Sequence, residues 1–401
     1  MKTVALIDPY RSGHHSDYIK LYTKSLLSLG HRVMVFYPEP SELKSWGESN
    51  CHRHRDNLHL FEAHEPEQWN VPLLRLQKAL NGITWWRFAA KALRKAEAET
   101  GQRPDLVFFP WLDSYLGNYQ SHHLIDTIFP HDWSGLYIHP RHLRRQMRYS
   151  NSRGGLHDYD EALRSRGCRA VAVLDEGIAA TLQDKLQGKQ VIIFPDVADA
   201  SNPAHDFPLR HEIIAKAAGR KIITLMGGLA KRKGILTLLE AAGKADARNR
   251  FFLFAGLLAE SSFTPRELES IRKIASNPPD NCFFHFNFIT KEAHFNALVE
   301  LSDILYAGYE EFPHSSNILT KGALFKKPVI VSRGYCMEER VKAFSLGESI
   351  RYDDASHCIE AITRLLEEEK PAADFAGYKN LHSEERLRHA FQDLCGRYFR
   401  Q

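Results

Sequence analysis

The stretch that decides the fold is the opening one, residues 1–37: MKTVALIDPYRSGHHSDYIKLYTKSLLSLGHRVMVFY. Val4–Ile7 is a short apolar run that ends in a polar loop. Ser16–Leu29 then carries apolar residues at helical spacing. Gly30 closes that helix as its C-terminal cap, and Val33–Tyr37 starts a second β-branched and aromatic run at once. Strand, helix and strand in so little chain form a βαβ unit, whose two strands lie parallel in one sheet.

The same alternation continues outward. In the first half, strands are expected near Leu106–Phe109, Leu136–Ile138, Ala170–Leu174 and Val191–Phe194. In the second half they fall near Ile222–Met226, Phe251–Ala255, Phe283–Phe286, Ile304–Tyr306, Val329–Val331 and Ser349–Tyr352, with helical patterns such as 235–245, 355–368 and 384–399 between them. A chain of 401 residues exceeds one ordinary core. The polar, aperiodic stretch Asp199–Pro208 is where the two halves are expected to join. The fold class expected is therefore α/β: domains at 1–200 and 204–380, facing a cleft, and a last helix at 381–401.

Composition narrows the function. A net charge of +4, with 43% hydrophobic and 25% charged residues, is an ordinary globular balance without the field that nucleic acid demands. The six cysteines, Cys51, Cys168, Cys282, Cys336, Cys358 and Cys395, form no close pair, which argues against a zinc site or a redox dithiol and fits a reducing cytoplasm. The apolar run at the N-terminus is shorter than a secretory signal needs, and no stretch approaches the ~20 apolar residues of a membrane span. The expected location is cytoplasmic, compatible with peripheral contact at the inner membrane face.

In parallel sheets, ligands gather at the carboxyl ends of strands. Three such places carry chemistry. The loop Asp8–Asp17 offers Gly13, for close backbone approach, and the adjacent His14 and His15; a plain turn capped by Ser16 is the structural alternative. The turn Gly227-Gly228-Leu229-Ala230-Lys231-Arg232-Lys233-Gly234 puts three cations at a helix start, where they oppose the helix dipole unless an anion is nearby. A diphosphate suits Arg232 and Lys233. In Glu310-Glu311-Phe312-Pro313-His314-Ser315-Ser316-Asn317, capping explains one of the small polar residues. Ser315, Ser316 and Asn317 together, with His314 and the later Lys321, favour a phosphate site. Asp158-Tyr159-Asp160 reads as capping and first-turn charge, so no essential metal is expected. Arg141, Arg144, Arg145 and Arg148 form a basic stripe, most simply a solvated face, and Trp85-Trp86 belongs to a buried helix.

Taken in order, these elements resemble glycosyltransferases of the GT-B fold, two Rossmann-like domains across a cleft, and family 4 in particular. The resemblance runs over most of the chain. It rests on the opening strand and loop, Leu26–Val33, Ala170–Ile178, Ile193–Asp199, Gly227–Gly234 and Pro328–Ser332 with Glu339 and Val341. It implies a nucleotide-sugar donor and transfer of a hexose-type sugar from UDP or GDP, with no cofactor beyond that substrate. The acceptor would be a hydroxyl on a sugar, lipid-linked or small-molecule compound, as in polysaccharide, glycolipid or natural-product glycoside synthesis. The first domain would bind the acceptor and the second the donor, with Lys233 on donor phosphate.

The departures matter as much. The family arginine falls on Gly228, which passes that contact to Arg232. The family's paired glutamates fall on Pro313 and Lys321, with Glu310 and Glu311 out of register, so retention of configuration does not carry over. Gly13-His14 with Asp113 resembles the His–Asp pair of inverting GT-B enzymes, in which the imidazole takes the acceptor proton. His14 is then the expected base, Asp113 its support, and His139 the competing candidate. A nucleotide-sugar epimerase of the same fold and a non-catalytic regulator are the rival functions.

Overall fold

The computed structural model describes residues 1–11, 15–144, 158–368 and 372–398. The chain forms two compact units, Met1–Pro195 with Glu384–Gln401, and Asp196–Ser383.

The first unit is built on seven parallel strands: β1 (Thr3–Ile7), β2 (Arg32–Tyr37), β3 (Leu58–Glu62), β4 (Leu106–Phe109), β5 (Trp133–Tyr137), β6 (Cys168–Val173) and β7 (Gln190–Ile193), in the order β3-β2-β1-β4-β5-β6-β7. Strand β3 is not among those expected. It is an edge strand, half-buried along its length, so it lacks the continuous apolar run that marks its neighbours. β5 begins at Trp133 rather than near Leu136, because Trp133 and Ser134 are buried inside the sheet.

Helix Leu74–Thr100 lays Trp86 into the core, with no exposure, and its indole Nε1 donates to the Tyr115 carbonyl at 3.1 Å. A buried indole N–H without that partner would cost a few kcal/mol, about 1–3. The last helix, Glu384–Tyr398, packs Phe391 against Tyr22, Phe108 and Phe194 at ring distances of 5.2, 5.2 and 5.0 Å.

The second unit carries six parallel strands: β8 (Lys221–Met226), β9 (Arg250–Ala255), β10 (Cys282–His285), β11 (Ile304–Ala307), β12 (Val329–Ser332) and β13 (Gly347–Ile350), in the order β10-β9-β8-β11-β12-β13. Two of its helices start at side-chain caps. Thr264 and Glu267 form a reciprocal capping box on Pro265–Ser276, and the Asp354 carboxylate accepts from His357 N–H at 2.9 Å. The stretch expected to be a free linker is held by this unit. Ala204 N–H donates to Ala293 O at 2.9 Å, and Asn296 Nδ2 to Ser201 O at 2.8 Å.

In both sheets the strand order reverses once, between β1 and β4 in the first and between β8 and β11 in the second. The loops after those strands leave in opposite directions and open a crevice at the carboxyl edge. All six cysteines are buried thiols, and no helix among the described residues is long and apolar enough to cross a membrane.

Candidate active site

The reversal point of the first sheet is lined by the loops after β1 and β4. Asp8 follows β1 directly; its N–H donates to Phe36 O at 3.0 Å, and the residue is 1% exposed. His15 opens helix His15–Ser28 and is also buried, with Nδ1 at 2.9 and 2.8 Å from the two Asp8 carboxylate oxygens. A carboxylate only accepts, so Nδ1 carries the hydrogen. The ring lies between Tyr10, at 4.7 Å, and Trp111, at 4.4 Å. The Tyr10 hydroxyl meets Ser114 Oγ at 2.7 Å, and burial pushes it up to about 12.

On the far side of Trp111 lies His139, at 5.5 Å between rings. Asp113, in the short turn after β4, accepts from the N–H groups of Ile138 at 2.9 Å and His139 at 2.7 Å. It thereby pins the exit of β5 to the exit of β4, and its contact with the His139 ring is looser, 3.5 Å to Nδ1. Gly13 and His14 lie outside the described residues, as do Arg145, Arg148 and Gly154–His157. His15 is the imidazole that sequence reasoning passed over. The signal available was an aspartate at a strand end and a histidine at the next helix start.

Two other polar motifs of this unit are structural. Arg144 does not present a solvated face; its Nε and Nη2 grip Asp175 at 2.7 and 2.5 Å, while Asp175 caps helix Glu176–Lys185. The carboxylates of Asp158 and Asp160 share Lys185 Nζ at 2.7 and 2.5 Å, and Asp160 also takes His142 Nε2 at 2.8 Å. Burial pushes the Asp160 carboxyl up, but His142 and Lys185 outweigh it and hold the group below the usual carboxylate range.

At the reversal point of the second sheet, glycines let two backbones meet. Gly256 has φ 134°, and a Cβ there would lie 1.9 Å from Gly227 O. The turn Lys231–Lys233 ends at Gly234, φ 74°, where a Cβ would come 2.4 Å from Gly308 O. Glu310 N–H donates to Arg232 O at 2.7 Å, so the loops after β8 and β11 are joined directly.

The three cations of this turn differ. Lys231 is neutralised by Glu267 at 2.6 Å; that hydrogen bond, first among the causes, takes the Glu267 carboxyl down to about 2. Arg232 lies over the Phe312 ring at 5.1 Å and Lys233 over the Tyr309 ring at 5.0 Å. Neither has a carboxylate within ion-pair distance among the described residues. Gly228 is exposed, with open space where a Cβ would be. Burial raises the Glu310 carboxyl above its ordinary range, and Lys231 offsets only part of this.

The following loop leads to helix Asn317–Leu324, with Ser316 at its N-cap position making no side-chain capping bond. Phe312 stands between Arg232 and the buried His314, 5.2 Å from the imidazole. Ser315 Oγ donates to Asp196 and accepts from Arg340 Nη1. Gly228, Arg232, Lys233, Glu310, His314, Ser315 and Ser316 thus all stand on the two loops flanking the reversal point, and Asn317 opens the helix that follows the second.

Lys321, expected on donor phosphate, is placed differently. It is 2% exposed, and Nζ reaches Asp199 O at 2.8 Å, Glu292 Oε2 at 2.7 Å and Asn296 Oδ1 at 2.6 Å. All three ammonium hydrogens are used inside the unit. The residue secures the 199–201 stretch to helix Glu292–Leu301 and is a positioning group.

No family model and no curated relative matches the chain. Solved structures do. It is similar to Anabaena HepE, solved with UDP and glucose, at 14% identity and TM-score 0.65, covering 99% of this chain and 100% of that one. It is similar to a UDP-forming α,α-trehalose-phosphate synthase from Burkholderia vietnamiensis, at 11% identity and TM-score 0.64, over 99% and 100%. A third likeness is to sucrose-phosphate synthase from Thermosynechococcus elongatus, at 16% identity and TM-score 0.62, over 98% and 95%. The chain has the α/β fold of these glycosyltransferases, GT-B, with two Rossmann-like units.

Proposed function

We propose that the protein is a glycosyltransferase that moves a hexose-type sugar from a UDP or GDP donor to a hydroxyl of a sugar, lipid-linked or small-molecule acceptor. The second unit binds the donor and the first the acceptor. One observation carries this reading. Two of the three cations in the 231–233 turn have no carboxylate at ion-pair distance among the described residues, and both stand at the reversal point of a parallel sheet. Uncompensated cations held over aromatic faces repel one another and gain from a multiply charged anion.

In the reaction, the acceptor oxygen attacks the anomeric carbon while the bond from that carbon to the diphosphate breaks. Charge grows on the leaving diphosphate. Lys233, Arg232 and the N–H groups at the start of helix Asn317–Leu324 meet it there, already oriented. With those donors in place, the reading asks for no metal. The UDP and UDP-glucose bound to HepE in the similar structures support a nucleotide-sugar donor.

The test is a thermal-shift series with UDP, GDP and ADP. A ligand present at about 100 times its Kd adds ~2.7 kcal/mol to folding stability, so one nucleotide should raise the melting temperature clearly above the others. The Lys233→Ala variant should lose that response. If no nucleoside diphosphate shifts the melting curve at millimolar concentration, the donor reading fails.

A further inference from the structure

We infer that the start of helix Leu74–Thr100, with the loop before it, is a docking surface for a lipid bilayer that carries anionic headgroups. The surface belongs to the first unit alone and is independent of the glycosyl-transfer reading. Its tip is apolar. Trp69, Leu73, Leu74 and Leu76 are 53%, 68%, 63% and 48% exposed. The other exposed large apolar side chains among the described residues stand singly along the chain, as they do on any soluble surface. A cluster of four in one short stretch marks a place that something apolar covers.

The tip is also held in shape. Trp69 N–H donates to Asn81 Oδ1 at 2.6 Å, and Trp69 O accepts from Asn81 Nδ2 at 3.3 Å. The indole Nε1 donates to Thr84 Oγ1 at 3.1 Å, and that hydroxyl donates on to Leu80 O at 2.8 Å. Asn81 and Thr84 lie in the helix, so Trp69 is fixed to it and has little rotamer freedom left to lose on insertion. Trp85 and Trp86, by contrast, are buried in the core. An indole with its polar edge satisfied and its body exposed suits the boundary between headgroups and acyl chains.

Charge decides what covers the tip. Residues 68–96 contain six lysines and arginines and no aspartate or glutamate, in a chain whose net charge is only +4. Steps of three and four residues put Leu76, Leu80, Ile83, Arg87, Lys91 and Arg94 along one face of the helix, while Trp86, Ala89 and Leu93 turn into the core. That face passes from apolar to cationic over about 27 Å. Arg87, Lys91 and Arg94 are exposed and have no carboxylate at ion-pair distance among the described residues. An apolar groove on a protein would match the leucines and leave this row unmatched, and a second copy of the chain would set like charge against like charge. A bilayer with anionic lipid meets both halves: Trp69 and the leucines enter the acyl boundary, and the cations lie at the phosphates.

The experiment uses the full chain with unilamellar vesicles of phosphatidylcholine alone or mixed with phosphatidylglycerol, read by co-sedimentation. The native chain should bind the mixed vesicles at least about tenfold more tightly than the neutral ones, and added salt should release it. Each cation at an anionic surface is worth roughly fivefold, so Arg87→Glu with Lys91→Glu should weaken binding by more than about tenfold. Leu73→Asn with Leu74→Asn should weaken it about tenfold or more. With brominated acyl chains, tryptophan fluorescence should be quenched on binding; Trp69→Phe should still sediment with the vesicles but lose most of that quenching. Both double variants change exposed side chains only, so their melting temperature and their response to UDP should match the native chain, which keeps this outcome separate from the donor reading. No binding to mixed vesicles, equal binding to both kinds, quenching that survives Trp69→Phe, or a lipid-free dimer that Leu73→Asn with Leu74→Asn breaks, overturns the proposal.

Discussion

Lys231 Nζ and Glu267 Oε1 lie 2.6 Å apart, and this one contact separates the three neighbouring cations of the donor turn into a neutralised one and two uncompensated ones. The functional weight should follow the charge balance and not the sequence order. Lys233→Ala removes a cation that faces only an aromatic ring. A charge-assisted phosphate contact is worth about 1.5–3 kcal/mol, so UDP should bind roughly tenfold to a hundredfold more weakly. Lys231→Ala leaves Glu267 behind, and its effect on UDP affinity should stay within about threefold, the size of an exposed pair. Titration calorimetry on both variants decides; equal losses would contradict the division.

Lys321 occupies a position where the family resemblance leads one to expect a glutamate, yet restoring that glutamate should not create a retaining enzyme. Its ammonium satisfies Asp199 O, Glu292 and Asn296 at once. Lys321→Met orphans three acceptors and should cost about 3 kcal/mol, the low end for breaking a buried pair because Glu292 is partly exposed. Lys321→Glu adds like-charge repulsion and should cost more. Urea unfolding reads both. A Lys321→Glu variant as stable as the native chain would show that the network carries no load.

These two cases show what was legible in the sequence. Charge and glycine at Gly227–Gly234 sit on a strand-to-helix junction, and periodicity alone places such junctions. Four strands of the second unit, β8, β9, β11 and β12, were legible because each is a largely buried apolar run. β3 was hidden because an edge strand needs only one apolar face. Lys321 was misjudged for a different reason: a lysine in sequence carries its charge but not its burial, which Asn296 and Glu292 decide from another helix. The Asp8–His15 pair left only a faint signal, an aspartate at a strand end and a histidine at the next helix start, because His14 and His15 are chemically alike in a sequence. The register of helix His15–Ser28 turns His15 onto Asp8.

His382 gives a pH signature. Burial, reinforced by Arg340, takes its imidazole down to about 3, while Nδ1 accepts the Asp196 N–H at 3.0 Å. The folded state therefore keeps this ring neutral, whereas the unfolded chain protonates it near the ordinary value of about 6.5. Between those values the unfolded state binds more protons, so stability rises with pH. Its contribution is whole above about 6.5 and falls by roughly 1.4 kcal/mol for each unit the pH drops below that, down towards 3. His382→Asn, which keeps an acceptor for Asp196, should remove about one proton from the slope of unfolding free energy against pH between 6 and 4.5. An unchanged slope would mean that the ring titrates normally in the fold.

The two glycines of the donor turn should fail in different ways when given a methyl group. Gly234 has φ 74°, and a Cβ there would sit 2.4 Å from Gly308 O and 2.8 Å from the Tyr306 hydroxyl. The left-handed backbone alone costs an alanine about 1–2 kcal/mol, and the clash with a carbonyl forces the loops after β8 and β11 apart. Gly234→Ala should therefore lower the melting temperature and weaken UDP binding together. Gly228 is exposed, is not left-handed, and has no atom within 4 Å of where its Cβ would be. Gly228→Ala should leave folding stability within about 0.5 kcal/mol. If the diphosphate lies against this turn, the added methyl occupies its space, and UDP affinity should fall without any loss of stability. Melting curves with and without UDP separate the two variants. A Gly228→Ala chain that binds UDP as tightly as the native one would move the phosphate away from residues 227–233.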